Sequence, residues 1–186
     1  MGQGRTFSDE ISAYMKVVIA DAGPLIALAR IGQLGLLPQL FANVAVTETV
    51  AIEVSQGGDF PDAQAIADAL AQPWLQTVTQ SAPELALCRA WMDLYQIDLG
   101  EASAMVLASQ CQAQGDAPLL LLDDARGRYA AGHAKLPALG TAGLLVLAKK
   151  AGCIMAVKPL LTALRQGHYF LSDPLVVAVL AQAGEE

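Results

Sequence analysis

Short apolar runs alternate with longer segments of helical periodicity along the chain. The first run, Lys16-Val17-Val18-Ile19-Ala20, has strand length and stops at Asp21. Ala22-Gly23-Pro24 then turns the chain, and Pro24 suits the first turn of a helix. Leu25, Leu28, Ala29 and Ile31 follow at helical spacing, Gly32 and Gly35 punctuate, and Leu36 to Phe41 reads as a second short helix. Val44-Ala45-Val46 is a second strand, after which Thr47 is expected to cap a helix from Glu48 to Val54 that ends at Gln56-Gly57-Gly58. Asp62 is expected to cap a helix to about Leu70, Trp74 to Val78 forms a third strand, and Pro83 opens a helix to about Tyr95. Asp98-Leu99-Gly100-Glu101 precedes an alanine-rich helix, Ala102 to Gln112. Pro118 to Leu122 is a fully apolar strand that ends in Asp123-Asp124. A helix from Ala125 to Gly132, a short strand from Leu136 to Gly140 and a Thr141-capped helix to Lys150 follow. Pro159 to Gln166 and Pro174 to Gln182 read as two closing helices.

Strands alternating with helices predict an α/β fold of three layers, α/β/α, around a central parallel sheet. The spacing gives one domain over residues 15–186, with 153–186 as a C-terminal helical appendage and 1–14 as a loose N-terminal segment. Composition sharpens this picture. Apolar residues make up 54% of the 186 and charged residues 16%, which excludes intrinsic disorder. That apolar excess predicts a sheet buried on both faces and a homodimer interface. The charge-free apolar stretch Leu136 to Ala148 has 13 residues, short of the roughly 20 a bilayer-spanning helix needs. The polar N-terminus, with Asp9 and Glu10, does not read as a secretory signal. Three separated cysteines, Cys88, Cys111 and Cys153, suit a reduced, cytoplasmic protein and argue against a zinc site or disulfide framework.

The net charge of −7 is unevenly spread. Residues 1–125 carry 4 basic and 15 acidic side chains, whereas residues 126–165 carry seven basic ones and no acid. An acidic pocket beside a basic flank is compatible with that division. The carboxylates also recur at element ends. Asp21 ends the first strand, Asp123 and Asp124 end a later buried strand, and Glu101 starts a helix between them in sequence. Open α/β sheets build their sites outside the carboxyl ends of strands, at the topological switch. Glu53, on the helix after the second strand, is a fifth candidate acid. So many carboxylates in one crevice call for a cation, and magnesium or manganese prefers oxygen ligands. Such an ion suits phosphodiester hydrolysis. Arg126 and Arg128 follow the Asp pair at phosphate-contact distance in sequence, and Thr141 is a further candidate substrate contact.

Each residue also has a plainer role open to it. Asp21 can cap the helix after the first strand, Asp98 and Glu101 fit a capping box, and Thr141 is most simply an N-cap. Asp123 and Asp124 can form a solvated turn, and Glu53 can be a surface charge. Arg126 and Arg128 can balance nearby acid, and Lys149 and Lys150 suit the negative end of a helix.

Five segments carry a family resemblance: VVIADAGPLIALARIG (17–32), VAVTETVAIEV (44–54), DLGEASAMVLA (98–108), LLLLDDARGRYAA (119–131) and LGTAGLLVLAKKAG (139–152). In this order and spacing the sequence resembles the PIN-domain family, metal-dependent ribonucleases that include VapC-like toxins. The resemblance implies a three-layer α/β/α fold. It also implies Asp21, Glu101 and Asp123 or Asp124 as ligands of Mg2+ or Mn2+, with Glu53 completing the site. Endonucleolytic cleavage of RNA to a 5′-phosphate and a 3′-hydroxyl, as the toxin of a pair with a small antitoxin protein, is implied too. Many members follow the first Asp with Ser or Thr, where this chain has Ala22. The alternative reading is a non-catalytic PIN-like module that binds RNA or protein, its acids only capping helices. A receiver-type phospho-acceptor domain would place an acid pair after the first strand and a lone Asp later, the reverse of the order here.

Overall fold

A computed structural model describes residues 17–56 and 61–185. The expected loose segment 1–14, the start near Met15 and the glycine pair at 57–58 lie outside the described residues. Five strands form one sheet: β1 (Val17–Ala20), β2 (Val44–Thr47), β3 (Leu75–Val78), β4 (Pro118–Leu121) and β5 (Ala138–Leu139). Their order is β3-β2-β1-β4-β5, and every pairing is parallel. The chain thus builds outward from β1 to β3, then returns to add β4 and β5 on the other side. The switch point falls between β1 and β4, whose registers pair Val18 with Leu119 and Ala20 with Leu121. The crevice beyond their carboxyl ends is where such sheets place their sites.

Ten helices are described: α1 (Ala22–Arg30), α2 (Leu36–Leu40), α3 (Glu48–Ser55), α4 (Pro61–Leu70), α5 (Ala82–Tyr95), α6 (Leu99–Ala113), α7 (Ala125–His133), α8 (Thr141–Lys150), α9 (Lys158–Gln166) and α10 (Asp173–Ala183). Side chains of a strand alternate between faces. Val18, Ala20, Leu119 and Leu121 therefore enter one apolar cluster, with Leu28 of α1, Val50 of α3 and Leu145 of α8. Ile19, Leu120 and Leu122 enter the other, with Cys88 of α5, Met105 of α6 and Ala130 of α7. Two such cores explain the continuous apolar runs of β1 and β4. Leu161 and Leu164 of α9 and Val179 of α10 are buried in the first cluster, so the closing helices share the core of the sheet.

Two expected caps move. Asp62 lies inside the first turn of α4 and pairs with Arg30 at 3.2 Å, joining α4 to the end of α1. Gly140, not Thr141, is the N-cap of α8. Among the described residues no helix is long and apolar enough to cross a membrane.

Candidate functional site

Asp21 follows β1 directly and is only 8% exposed. Its N–H donates to the Leu121 carbonyl at 3.0 Å, which ties it to the end of β4. It occupies the N-cap position of α1, yet its side chain makes no cap hydrogen bond. The carboxylate is thus left facing the crevice. Asp98 and Glu101 are brought there by the first turn of α6. Their capping box is formed: the Glu101 N–H donates to Asp98 Oδ1 at 2.8 Å, and the Asp98 N–H donates to Glu101 Oε2 at 3.1 Å.

Glu53 arrives through a buried hydroxyl pair. Thr47 caps α3 by accepting from the Val50 N–H, and its hydroxyl meets that of Ser103 at 2.6 Å. Ser103 in turn donates to the Gly100 carbonyl at 2.7 Å. This chain of contacts locks α3 against the start of α6. Gly100 then forms the floor of the site. A Cβ there would stand 2.7 Å from Glu53 Oε2, 3.2 Å from Asp21 Oδ1 and 3.3 Å from Asp98 Oδ1. Three carboxylates from three elements therefore meet around one residue without a side chain.

Asp124 supplies the far wall. Its Oδ1 accepts from the Arg126 and Gly127 N–H groups at 2.7 and 3.0 Å, which caps α7. Asp21, Glu53, Asp98, Glu101 and Asp124 line one cavity of about 360 Å³, with Arg126 at its edge. Asp98 was legible in the sequence only as a cap; the single signal for its second role is its place three residues before Glu101.

Electrostatics follow from the crowding. Burial, reinforced by the charges of Asp98, Glu53 and Glu101, raises Asp21 to about 7. Burial also raises Glu101 to about 7, with Asp98 and Asp124 adding to the effect against the pull of Arg126. Glu53 is exposed, but partial burial of its carboxyl and the Asp98 charge push it up as well. Asp124 goes the other way. Burial alone would raise it, but the N–H groups of Gly127, Arg126 and Ala125 and the Arg126 guanidinium hold it below the usual carboxylate range.

Glu101 Oε1 is buried with no hydrogen-bond partner. An orphaned carboxylate oxygen in a cavity of like charges fits a cation better than a finished hydrogen-bond network. The lining donors are all oxygens, with no histidine or cysteine, which suits magnesium or manganese rather than zinc. Among the described residues no three His, Cys, Asp or Glu side chains stand together closely enough to hold a metal ion as they are placed. Magnesium usually takes one or two carboxylates and keeps several waters, so an open ring of acids is a compatible host.

Asp123 is separated from Asp124 by its partners. Its Oδ1 and Oδ2 accept from the N–H and hydroxyl of Thr141 at 2.7 and 2.6 Å. The Tyr169 hydroxyl also hydrogen-bonds to it, and burial together with that carboxylate pushes the phenol far above its ordinary value. Thr141 is fully buried on Asp123. Asp123 faces a second cavity together with Arg128, while its Oδ2 and Asp21 Oδ2 would each stand 3.8 Å from a Cβ on Gly23. Arg128 is exposed and donates to the Asp123 carbonyl. Ala22 is buried at the start of α1 and offers no hydroxyl to Asp21.

A family model described as a PIN domain matches residues 17–185. No curated protein matches the chain.

Proposed function

Because the chain belongs to the PIN-domain family, whose members are in general nucleases, we propose that it is an endoribonuclease that uses Mg2+ or Mn2+. The observation that carries this reading is Glu101 Oε1, buried and unpaired in a cavity ringed by four other carboxylates. Asp21, Glu101 and Asp124 are the residues that would hold the cation, with Glu53 and Asp98 close enough to Asp21 to orient its water. A divalent ion bound there would supply charge stabilisation to the scissile phosphodiester and lower the pKa of an attacking water. Asp21, fixed between β1 and β4, sets the position of the site. Arg126, beside Asp124, is placed to meet a phosphate of the incoming RNA. Asp123, held by Thr141 and Tyr169, braces the end of β4 so that Asp124 keeps its place. The toxin role, the small antitoxin partner, the homodimer and a cytoplasmic location belong to the same proposal and rest on the resemblance and composition.

The formed capping box favours a second reading, a binding module in which Asp98 and Glu101 serve only α6. One experiment divides the two. A labelled single-stranded RNA is incubated with manganese, magnesium or EDTA, using wild type and Asp21→Asn, and thermal stability is followed in the same samples. The nuclease reading expects metal-dependent cleavage and metal-dependent stabilisation, both lost in Asp21→Asn, with the fold intact by circular dichroism. Full activity in Asp21→Asn would overturn the assignment. Absence of both cleavage and metal stabilisation in wild type would favour the binding module.

A further inference from the structure

A second cavity, of about 620 Å³, opens on the other side of Asp124 from the acidic one. The two share Asp124 as a common wall, so an elongated ligand crossing the acids would run into this cavity next. Its lining includes Arg128, Tyr169 and Phe170. Phe170 is 88% exposed, while its neighbours are fixed. Tyr169 is tied to Asp123 through its hydroxyl, and Leu171 is buried in the core. The Arg165 guanidinium clamps the segment, donating to the Leu171 carbonyl at 2.8 Å and to Asp173 at 2.6 Å. The ring is thus held out in solvent by its anchored flanks. Exposed apolar side chains scattered singly are ordinary; Phe170 differs in lining a cavity that adjoins the acidic site.

The cavity's chemistry is narrow. One wall is an aromatic face. Its rim carries a guanidinium steadied by the Asp123 carbonyl. Arg128 is the cation of this lining, beside the carboxylates of Asp123 and Asp124 that divide the cavity from the acidic site. An exposed aromatic ring beside a cation is the pairing on which an unpaired base stacks and its phosphate is met.

We infer that this cavity is a nucleobase subsite, in which an unpaired base of single-stranded RNA stacks on Phe170 while Arg128 meets its phosphate, next to the bond cleaved at the acids. The inference rests on the nuclease reading and adds a substrate class to it. Bases of a duplex are stacked within the helix and cannot turn a face to Phe170, so paired RNA is excluded.

The test uses the full chain carrying Asp21→Asn, in magnesium, with a fluorescein-labelled single-stranded RNA and the same RNA annealed to its complement. Fluorescence anisotropy reports binding. Adding Phe170→Ala is expected to weaken single-strand binding roughly tenfold, the scale of one lost base stack, and to leave duplex binding unchanged. Phe170→Trp should restore affinity, and its added indole fluorescence should be quenched by the single strand. With Asp21 intact, Phe170→Ala should raise KM about tenfold at nearly constant kcat. Wild-type affinity and KM in Phe170→Ala, with metal-dependent cleavage preserved, would overturn the subsite and leave the nuclease reading standing. If the same variant instead loses self-association by sedimentation, a second copy of the chain covers the ring and the subsite is likewise overturned. Wild type that neither binds nor cleaves RNA would overturn the nuclease reading and this inference with it.

Discussion

Asp21 carries the clearest physical signature of any residue in the molecule. Its carboxyl titrates near 3.8 in an unfolded chain and about 7 when folded, first because it is buried and then because Asp98, Glu53 and Glu101 crowd it. Below about pH 4 both states hold the proton and the group is neutral to stability. Between those values the folded state binds a proton that the unfolded state has lost, so stability falls as pH rises. Above about 7 the whole cost is present, on the order of 4 kcal/mol for a rise from 3.8 to about 7. Glu101 behaves alike, with the same folded value of about 7. In EDTA the protein should therefore melt lower at pH 8 than at pH 5, and manganese should flatten that profile. Asp21→Asn should raise the metal-free melting temperature at pH 8 by about 8–16 °C and change little at pH 4. Parallel profiles for the two proteins across pH 4–8, measured by differential scanning calorimetry, would refute the buried-charge account. The same residue shows what sequence can reveal at this scale. Asp21 and the Asp123–Asp124 pair were legible as candidates because carboxylates recur at the ends of two apolar strands, but the sequence left open which of the pair lines the acidic cavity. Asp98 was not, because its capping bond to Glu101 accounts for it completely, while the same Oδ1 also faces Gly100 across the cavity.

At the scale of elements, the start of α6 brings the site together. Gly100 sits in the first turn of that helix, where alanine would ordinarily stabilise by ~0.5–1 kcal/mol. Here its missing side chain leaves room for Glu53, Asp21 and Asp98, and a Cβ 2.7 Å from Glu53 Oε2 would force that carboxylate away. Gly100→Ala should thus split two properties that usually move together. Helix content and metal-free melting temperature should hold or rise, whereas the melting-temperature gain on adding manganese should fall by half or more. An undiminished gain would mean that Glu53 lies outside the cation's reach. Thr141 teaches a related lesson. Threonine is a better N-cap than most residues, so a cap was the natural expectation. The structure uses Gly140 instead, and the Thr141 hydroxyl crosses to Asp123, 18 residues earlier in the chain. Such a partner has no local signal, and neither does Tyr169, which reaches the same carboxylate from beyond α9.

On the scale of the whole molecule, the layering and the parallel sheet followed from residue patterns because burial on both faces leaves few alternatives, whereas the strand order came only with the structure. Runs such as Pro118 to Leu121, with no polar position and the length of a strand, suit interior strands of a parallel sheet covered on both faces. How the closing helices seat was not written in any local pattern. Glu185, just past α10, accepts from Lys149 Nζ of α8 at 2.7 Å. It also accepts from the N–H groups of Val157 and Lys158, at 2.7 and 2.9 Å, at the start of α9. One carboxylate so joins three helices. The Lys149 hydrogen bond and the two backbone N–H groups lower Glu185 to about 2, against 4.5 for the free side chain. The sign is opposite to that of Asp21. The clasp is complete above about pH 4.5 and is lost as pH falls toward 2, because only the ionised group accepts all three bonds. Glu185→Gln should melt below wild type at neutral pH, and the gap should close progressively on acidification through that window. The loss should be local to α8–α10, read as faster amide exchange there, with β1 and β4 protected as in wild type. Because Tyr169 is carried on the segment between α9 and α10, a loosened clasp should also free the Phe170 wall of the second cavity. Weaker single-strand binding in Glu185→Gln, with metal-dependent stabilisation retained, would connect the seating of the closing helices to the site itself. Equal RNA affinity in the two proteins would confine Glu185 to holding the fold.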